Sequence, residues 1–249
     1  MTPNPILKVL STFQKHRVRA LLIGGQACIV YGAAEFSRDS DFVVLCTPAN
    51  LARVRATLAE LQAHPIYVPP LRVSFLRRGH ACHFRCHAPG VERLRVDLMA
   101  RLRGCDEFPA LWRRRETVRL PEGGSVHVLG LRDLVQSKKT QRDKDWLMLR
   151  RLVDNDLLLR RERPQLKQVR WWLRECRTAE NILSLARQYP EVAKSCAAVR
   201  PVLRKALAGD VVALRVALQQ EEDAEREKDR GYWKPLRQEL ERLRWRRRA

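Results

Sequence analysis

The most restrictive stretch of the chain is one in which a short apolar run meets two glycines and a second run opens with two acids. Residues 18–23 are mostly apolar and stop at Gly24-Gly25; Asp39-Ser40-Asp41-Phe42-Val43 follows after a gap of 13 residues. A run of that length bounded by charge and glycine predicts a buried strand. Residues 26–31 predict a short helix closed near Gly32, and residues 41–45 a second strand. Side chains two apart on a strand share a face. Asp39 and Asp41 therefore point together, with Ser40 and Phe42 on the other side.

Two carboxylates that close repel each other and are costly without a counter-ion. A hard divalent cation, Mg²⁺ or Mn²⁺, answers this, because it takes oxygen ligands and shares substrate phosphates. The glycine pair lets backbone approach a ligand closely. The helix after it turns unpaired N–H groups and a positive dipole end toward a phosphate. Two-ion chemistry needs a third acid from a neighbouring strand. Asp97, in Leu94-Arg95-Val96-Asp97-Leu98-Met99, sits in an apolar alternation where an ionised group is otherwise unexpected. Three such acids would let two ions clamp the attacking and leaving oxygens of an in-line displacement. The plainer alternatives are that Asp39 caps a turn, that Asp41 is a solvated strand end, and that Asp97 is a structural acid paired with Arg95 or Arg101.

This arrangement resembles the polymerase-β-like nucleotidyltransferase superfamily, whose signature is a Gly-Gly or Gly-Ser turn, an acid-x-acid strand and a later acid. The resemblance implies that Gly24 and Gly25 form the phosphate turn, that Asp39 and Asp41 hold metal, and that Asp97 is the third acid, which also helps to activate the attacking hydroxyl. Gly25 departs from members that use a serine hydroxyl there. A second stretch, Leu131 to Lys139 followed by Arg142-Asp143-Lys144-Asp145, resembles the region after the core in small bacterial nucleotidyltransferases, including AbiEii-type toxins. By that resemblance Lys138 or Lys139, Arg142 and Lys144 bring cations to a triphosphate, and Asp145 orients them. A solvated helix face is the plainer reading of the same charges. The likeness spans roughly residues 15–155.

Residues 71–76, 81–87 and 94–99 are further strand candidates, punctuated by Gly79 and Pro89-Gly90. Thr47-Pro48 reads as a helix start, with Thr47 as N-cap and Pro48 at the first helical position. The helix runs to about residue 63. Residues 118–120 and 125–129 suggest a hairpin across Glu122-Gly123-Gly124. Mixed strands and helices predict an α+β core with a mixed β-sheet and helices mainly on one side. Beyond Pro164 the pattern is helical, broken at Pro190, Pro201 and Gly209. We therefore expect a core at 1–160 and a basic helical region at 161–249. Residues 232–249 read as a basic amphipathic helix or a frayed end.

Forty-nine Lys and Arg against 28 Asp and Glu give a net charge of +21. Such a chain attracts polyanions, although base composition alone would also enrich arginine. RNA, tRNA first, is the expected acceptor beside the NTP, and an acidic antitoxin is a candidate partner. A protein or small-molecule hydroxyl comes next as acceptor. A non-catalytic nucleotide- or nucleic-acid-binding module is the rival reading. No apolar run is long enough for a membrane span, and nothing at the start resembles a secretory signal, so a cytoplasmic protein is expected. Seven scattered cysteines argue against a disulfide scaffold. His80, Cys82, His83, Cys86 and His87 look like zinc ligands. As a strand, however, the segment puts Cys82 and Cys86 about 13 Å apart at roughly 3.3 Å per residue, too far to share one ion. His83, Arg85 and His87 then share a face, and His83 or Arg85 is a candidate nucleotide contact. Trp171, Trp172 and Trp233 read as packing residues rather than base-stacking platforms. Arg113-Arg114-Arg115 reads equally as a phosphate grip or an exposed face.

Overall fold

The computed structural model describes residues 5–120 and 124–248. These residues form two compact units, one of Met1–Val30, Ala34–Ser137 and Tyr232–Ala249, the other of Tyr31–Ala33 and Lys138–Gly231.

The first unit is the α+β part. Its elements are α1 (Pro5–Lys15), β1 (Ala20–Ile23), α2 (Gly24–Val30), β2 (Asp39–Val44), α3 (Pro48–Glu60), β3 (His64–Pro65), α4 (Val73–Arg78), β4 (Cys82–Arg85), β5 (Arg95–Met99), α5 (Phe108–Arg113), β6 (Glu116–Arg119), β7 (Ser125–Val128) and α6 (Leu131–Ser137). The strands make one seven-stranded sheet in the order β3-β4-β5-β2-β1-β7-β6. It is mixed, as expected. β1 runs antiparallel to β2, while β2 and β5 run parallel and β4 lies antiparallel to β5.

Alternation on β2 sorts its side chains as the sequence implies. Ser40 and Phe42 are buried, and Phe42 stacks on Phe13 of α1 with ring centroids 4.2 Å apart. A buried aromatic of this kind stabilises the unit by roughly 1.5–3 kcal/mol, so β2 cannot slip by one residue without exposing it. Asp39 and Asp41 are thereby fixed on the other face. Thr47 does cap α3, accepting from the Asn50 backbone N–H at 3.3 Å. Asn50, almost fully buried, ties the strands at their far ends. Its Oδ1 accepts from the Arg19 N–H at 2.8 Å, and its amide donates to the carbonyls of Arg19 and Leu45.

Residues 73–78 are helical rather than extended. A short apolar run cannot by itself distinguish the two, and here Gly79 at φ +100° ends the helix in the left-handed conformation that glycine adopts most easily. Helix α2 already starts at Gly24 and has seven residues, so the glycine pair lies in its first turn rather than in a separate turn before it. The β6–β7 hairpin forms as expected; Glu122 and Gly123 of its connection lie outside the described residues. The C-terminal segment is helical to Arg248. In this unit its Glu239 accepts from Arg78 at 2.8 Å and pairs with His80 Nε2 at 2.7 Å.

The second unit is helical: α7 (Asp143–Arg160), α8 (Leu166–Glu175), α9 (Ala179–Gln188), α10 (Pro190–Ala197), α11 (Leu203–Leu207) and the part of α12 (Val211–Arg248) that ends at Gly231. Within this unit, which takes up the chain at Lys138, α7 packs on α8. The Trp172 indole N–H donates to Asp156 of α7 at 2.8 Å. Trp171 and Trp172 are buried as packing residues. No helix among the described residues is long and apolar enough to cross a membrane.

Candidate active site

Strand register brings the three acids of the first unit together. Asp41 pairs with Asp97 across the parallel β2–β5 ladder, and Asp39 pairs with Arg95 two residues earlier. On the far side of β5, His83 pairs with Asp97 and Arg85 with Arg95. One face of three adjacent strands therefore carries two rows, Asp41–Asp97–His83 and Asp39–Arg95–Arg85.

Gly24 supplies the wall beside this face. Its φ is +66°, and a Cβ there would run into the Asp41 carboxylate, lying 2.7 Å from its Cγ. Only a residue without a side chain leaves that carboxylate its place. Gly25 is closed in by Ser37, whose Oγ would be 2.5 Å from an added Cβ, and Gln26 Nε2 donates to the Ser37 carbonyl at 2.9 Å. Nothing in the sequence marked Ser37, because its role depends on how residues 34–38 fold back. We expect Gly24→Ala to cost about 1–2 kcal/mol for the left-handed backbone alone. Displacing Asp41 by about 1 Å would slow any transfer by roughly 10²-fold. Thermal unfolding and turnover of the same variant separate the two effects, and unchanged turnover would remove Gly24 from the site.

Asp97 is 6% exposed and fully engaged. Arg95 Nε donates to Oδ1 at 2.9 Å and Nη2 to Oδ2 at 2.6 Å, while His83 Nδ1 lies 2.9 Å from Oδ1. Burial pushes this carboxyl up. The hydrogen bonds and charges of His83 and Arg95 outweigh burial and hold it below the usual 3.8. Arg101, the other partner considered, pairs with Glu107 instead. Because the folded carboxyl sits below its unfolded value, its stabilisation is present above about pH 3.8 and is lost as pH falls through the folded value. The unfolding free energies of wild type and Asp97→Asn should therefore converge as pH falls below about 3.8. A gap that widens in acid contradicts the assignment.

The donor set decides what kind of cation fits. Among the described residues no three His, Cys, Asp or Glu side chains are grouped to hold a metal ion. The Asp97 oxygens are turned to Arg95 and His83. Asp39 and Asp41 still present a carboxylate pair on one face. A pair is enough for Mg²⁺ that arrives with a nucleotide, since that ion needs only one or two carboxylates beside substrate phosphates.

The second expected group lies in the second unit. Asp145, fully buried, accepts from Lys138 Nζ at 2.9 Å, Arg142 Nε at 2.8 Å and Thr140 Oγ1 at 2.7 Å. These bonds hold the Lys138 and Arg142 side chains to one carboxylate. Lys138 is itself buried, so its ammonium is committed to Asp145 rather than presented to solvent. Lys139 pairs with Glu175 at 2.8 Å, and Lys144 is exposed on α7. Of the arginine cluster in the first unit, Arg114 is spent on Asp106 and Asp133. β4 alternates as read: Cys82 and Phe84 are buried while His83 and Arg85 face the other way. Burial pushes the Cys82 thiol up to about 12 and that of Cys86 up to about 11, so both stay protonated at neutral pH.

No protein-family model matches the chain, and no curated protein does. Several solved structures are similar, two of them as follows. One is the lincosamide antibiotic adenylyltransferase LnuA bound to lincomycin, at 12% identity and a TM-score of 0.43, covering 61% of this chain and 96% of that one. The other is an H. pylori protein described as a nucleotidyltransferase, at 13% identity and a TM-score of 0.41, covering 88% and 92%. Both scores are below 0.5, and the case for function rests on the residues of the chain itself.

Proposed function

We propose that the chain is a nucleotidyltransferase, moving a nucleoside monophosphate from an NTP to a hydroxyl. The observation that carries this reading is the register that sets Asp39, Asp41 and Asp97 on one face beside a glycine whose missing Cβ makes room for a carboxylate. In the reaction the acceptor oxygen bonds to the α-phosphorus and the bond from that phosphorus to the bridging oxygen breaks. Pyrophosphate leaves, and the hydroxyl proton passes to water. Asp39 and Asp41 would hold the Mg²⁺ that accompanies the NTP, which neutralises phosphate charge. Asp97, kept ionised by Arg95 and His83, is a weak base. Its part is to fix the guanidinium over the face on which charge develops.

RNA, and tRNA before other RNAs, is the acceptor we favour. Its support is the +21 net charge, which would concentrate a polyanion and make its binding fall steeply with salt. The engagement of Asp97 favours a second reading, a module that binds nucleotide without transferring it. The two separate on incubation of the full chain with each α-labelled NTP, Mg²⁺ and total RNA. Label in RNA is expected. Label in no RNA with any of the NTPs would remove the RNA acceptor; tight Mg²⁺-dependent NTP binding without transfer to any hydroxyl would leave the binding module.

A further inference from the structure

A cavity of about 310 Å³ opens on the first unit, away from the carboxylates. That volume is at the lower end of the range that takes small molecules. Ala20 of β1 and Phe42 of β2 line it together with Phe13 of α1. Ala20 pairs with Val44, two residues from Phe42, so the cavity lies on the sheet face opposite Asp39 and Asp41. Val18 and Val126 complete an apolar wall.

The rim is cationic. Arg17, Arg19 and His127 line the cavity, and among the described residues no Asp or Glu does. Trp112 lines it too, with the Arg115 guanidinium 4.3 Å and that of Arg19 5.3 Å from its ring centroid. Arg17 follows α1 at φ +52°, its N–H donating to the Gln14 carbonyl at 2.8 Å. Glycine takes such a left-handed place most easily, and an arginine is strained there; the strained backbone carries a guanidinium at the mouth. His127 adds a donor. Its Nδ1 accepts from Arg115 Nε at 3.4 Å and lies 3.1 Å from Thr117 Oγ1, so the neutral ring carries its proton on Nε2. Burial, then the charges of Arg115 and Arg19, hold this imidazole below its usual 6.5, and it is neutral at pH 7.

Guanidiniums beside an N–H donor select an anion with several oxygens, which a phosphate offers. The apolar wall suits a flat ring, and the Gln14 amide and Ser125 hydroxyl on the lining can meet its polar edge. We propose that this cavity binds a nucleoside monophosphate, with the base on the apolar wall and the phosphate at Arg17, Arg19 and His127. The nucleotide comes either free or as one unit of an RNA strand. Because the cavity is on the opposite face of the sheet, the proposal does not depend on the transfer reading.

Binding in EDTA tests it, since the carboxylate face is read as needing Mg²⁺ and this cavity needs none. The full chain is titrated by calorimetry with each nucleoside 5′-monophosphate and, separately, with tetraribonucleotides of mixed sequence. Binding of a monophosphate identifies a free ligand, and binding of the tetramers alone identifies an RNA strand. In either case Arg17→Gly, which relieves the backbone, should fold as the wild type does and bind about 10-fold weaker or more, the scale of a hydrogen bond to a charged group. Val126→Phe, which fills the wall and leaves the charge unchanged, should weaken binding as well. The ligand should also raise the pH at which the His127 ring titrates, because a phosphate offsets the field of Arg19 and Arg115; NMR reads this, with His127→Gln assigning the signal. Binding lost in Arg17→Gly but intact in a folded Val126→Phe is general attraction to the basic chain and overturns the proposal. Unchanged binding in Arg17→Gly, an unmoved His127 titration, or no binding of any of these ligands overturns it too. None of these results bears on Mg²⁺-dependent transfer.

Discussion

Asn at both positions 39 and 41 is expected to reduce nucleotidyl transfer by at least about 10³-fold, the scale on which preorganised charge stabilisation is lost from a site. The sheet should be untouched, because both side chains lie on the half-buried face of β2 while Ser40 and Phe42 hold the strand in its core. The same double variant separates an enzyme from a binding module through nucleotide affinity. Without metal, the two carboxylates repel a triphosphate, so their removal should leave affinity in EDTA unchanged or slightly higher. With Mg²⁺ they attract it, so the gain that Mg²⁺ gives the wild type should vanish. Titration calorimetry with and without the ion reads both. If affinity and its Mg²⁺ dependence survive in Asp39→Asn/Asp41→Asn, the catalytic assignment of this face fails.

What the sequence could reveal about this face follows from which contacts are local. Side chains two apart on one strand share a face whatever the fold, so the Asp39–Asp41 pair was legible, and so was the option that Arg95 pairs with Asp97. That His83 closes on the same carboxylate depends on the antiparallel register of β4 against β5, a pairing between segments that no local period announces. The position of the third acid was therefore legible, but its contact with His83 was not. A strand was expected at residues 71–76 where a helix covers 73–78, because a short apolar run fits either until its partners are known. β3, two exposed residues at the sheet edge, carries no apolar signal at all. Helical periodicity likewise shows that α7 is a helix with one buried face, not which helices cover it.

The second large effect concerns Asp145, where stability rather than turnover is at stake. This carboxylate is wholly buried and holds Lys138, which is 5% exposed, together with Arg142 and Thr140. Burial pushes its carboxyl up, but the charges and hydrogen bonds of Lys138 and Arg142 prevail and keep it below the usual range. Removing one member of a buried pair strands the other, which typically costs about 3–5 kcal/mol. Asp145→Asn preserves shape and leaves the Lys138 ammonium without its counter-charge, so a loss of that size is expected. Lys138→Met should cost less, about 1–3 kcal/mol, because Arg142 and Thr140 still serve the remaining carboxylate. The double variant removes both buried charges and should be more stable than Asp145→Asn alone. Urea unfolding followed by tryptophan fluorescence, to which Trp146, Trp171 and Trp172 of this unit contribute, would order the three. The cluster would lose its structural role if Asp145→Asn unfolded at the wild-type urea concentration. Lys138 would instead be a cation available to ligands if Lys138→Met left stability unchanged and weakened NTP binding.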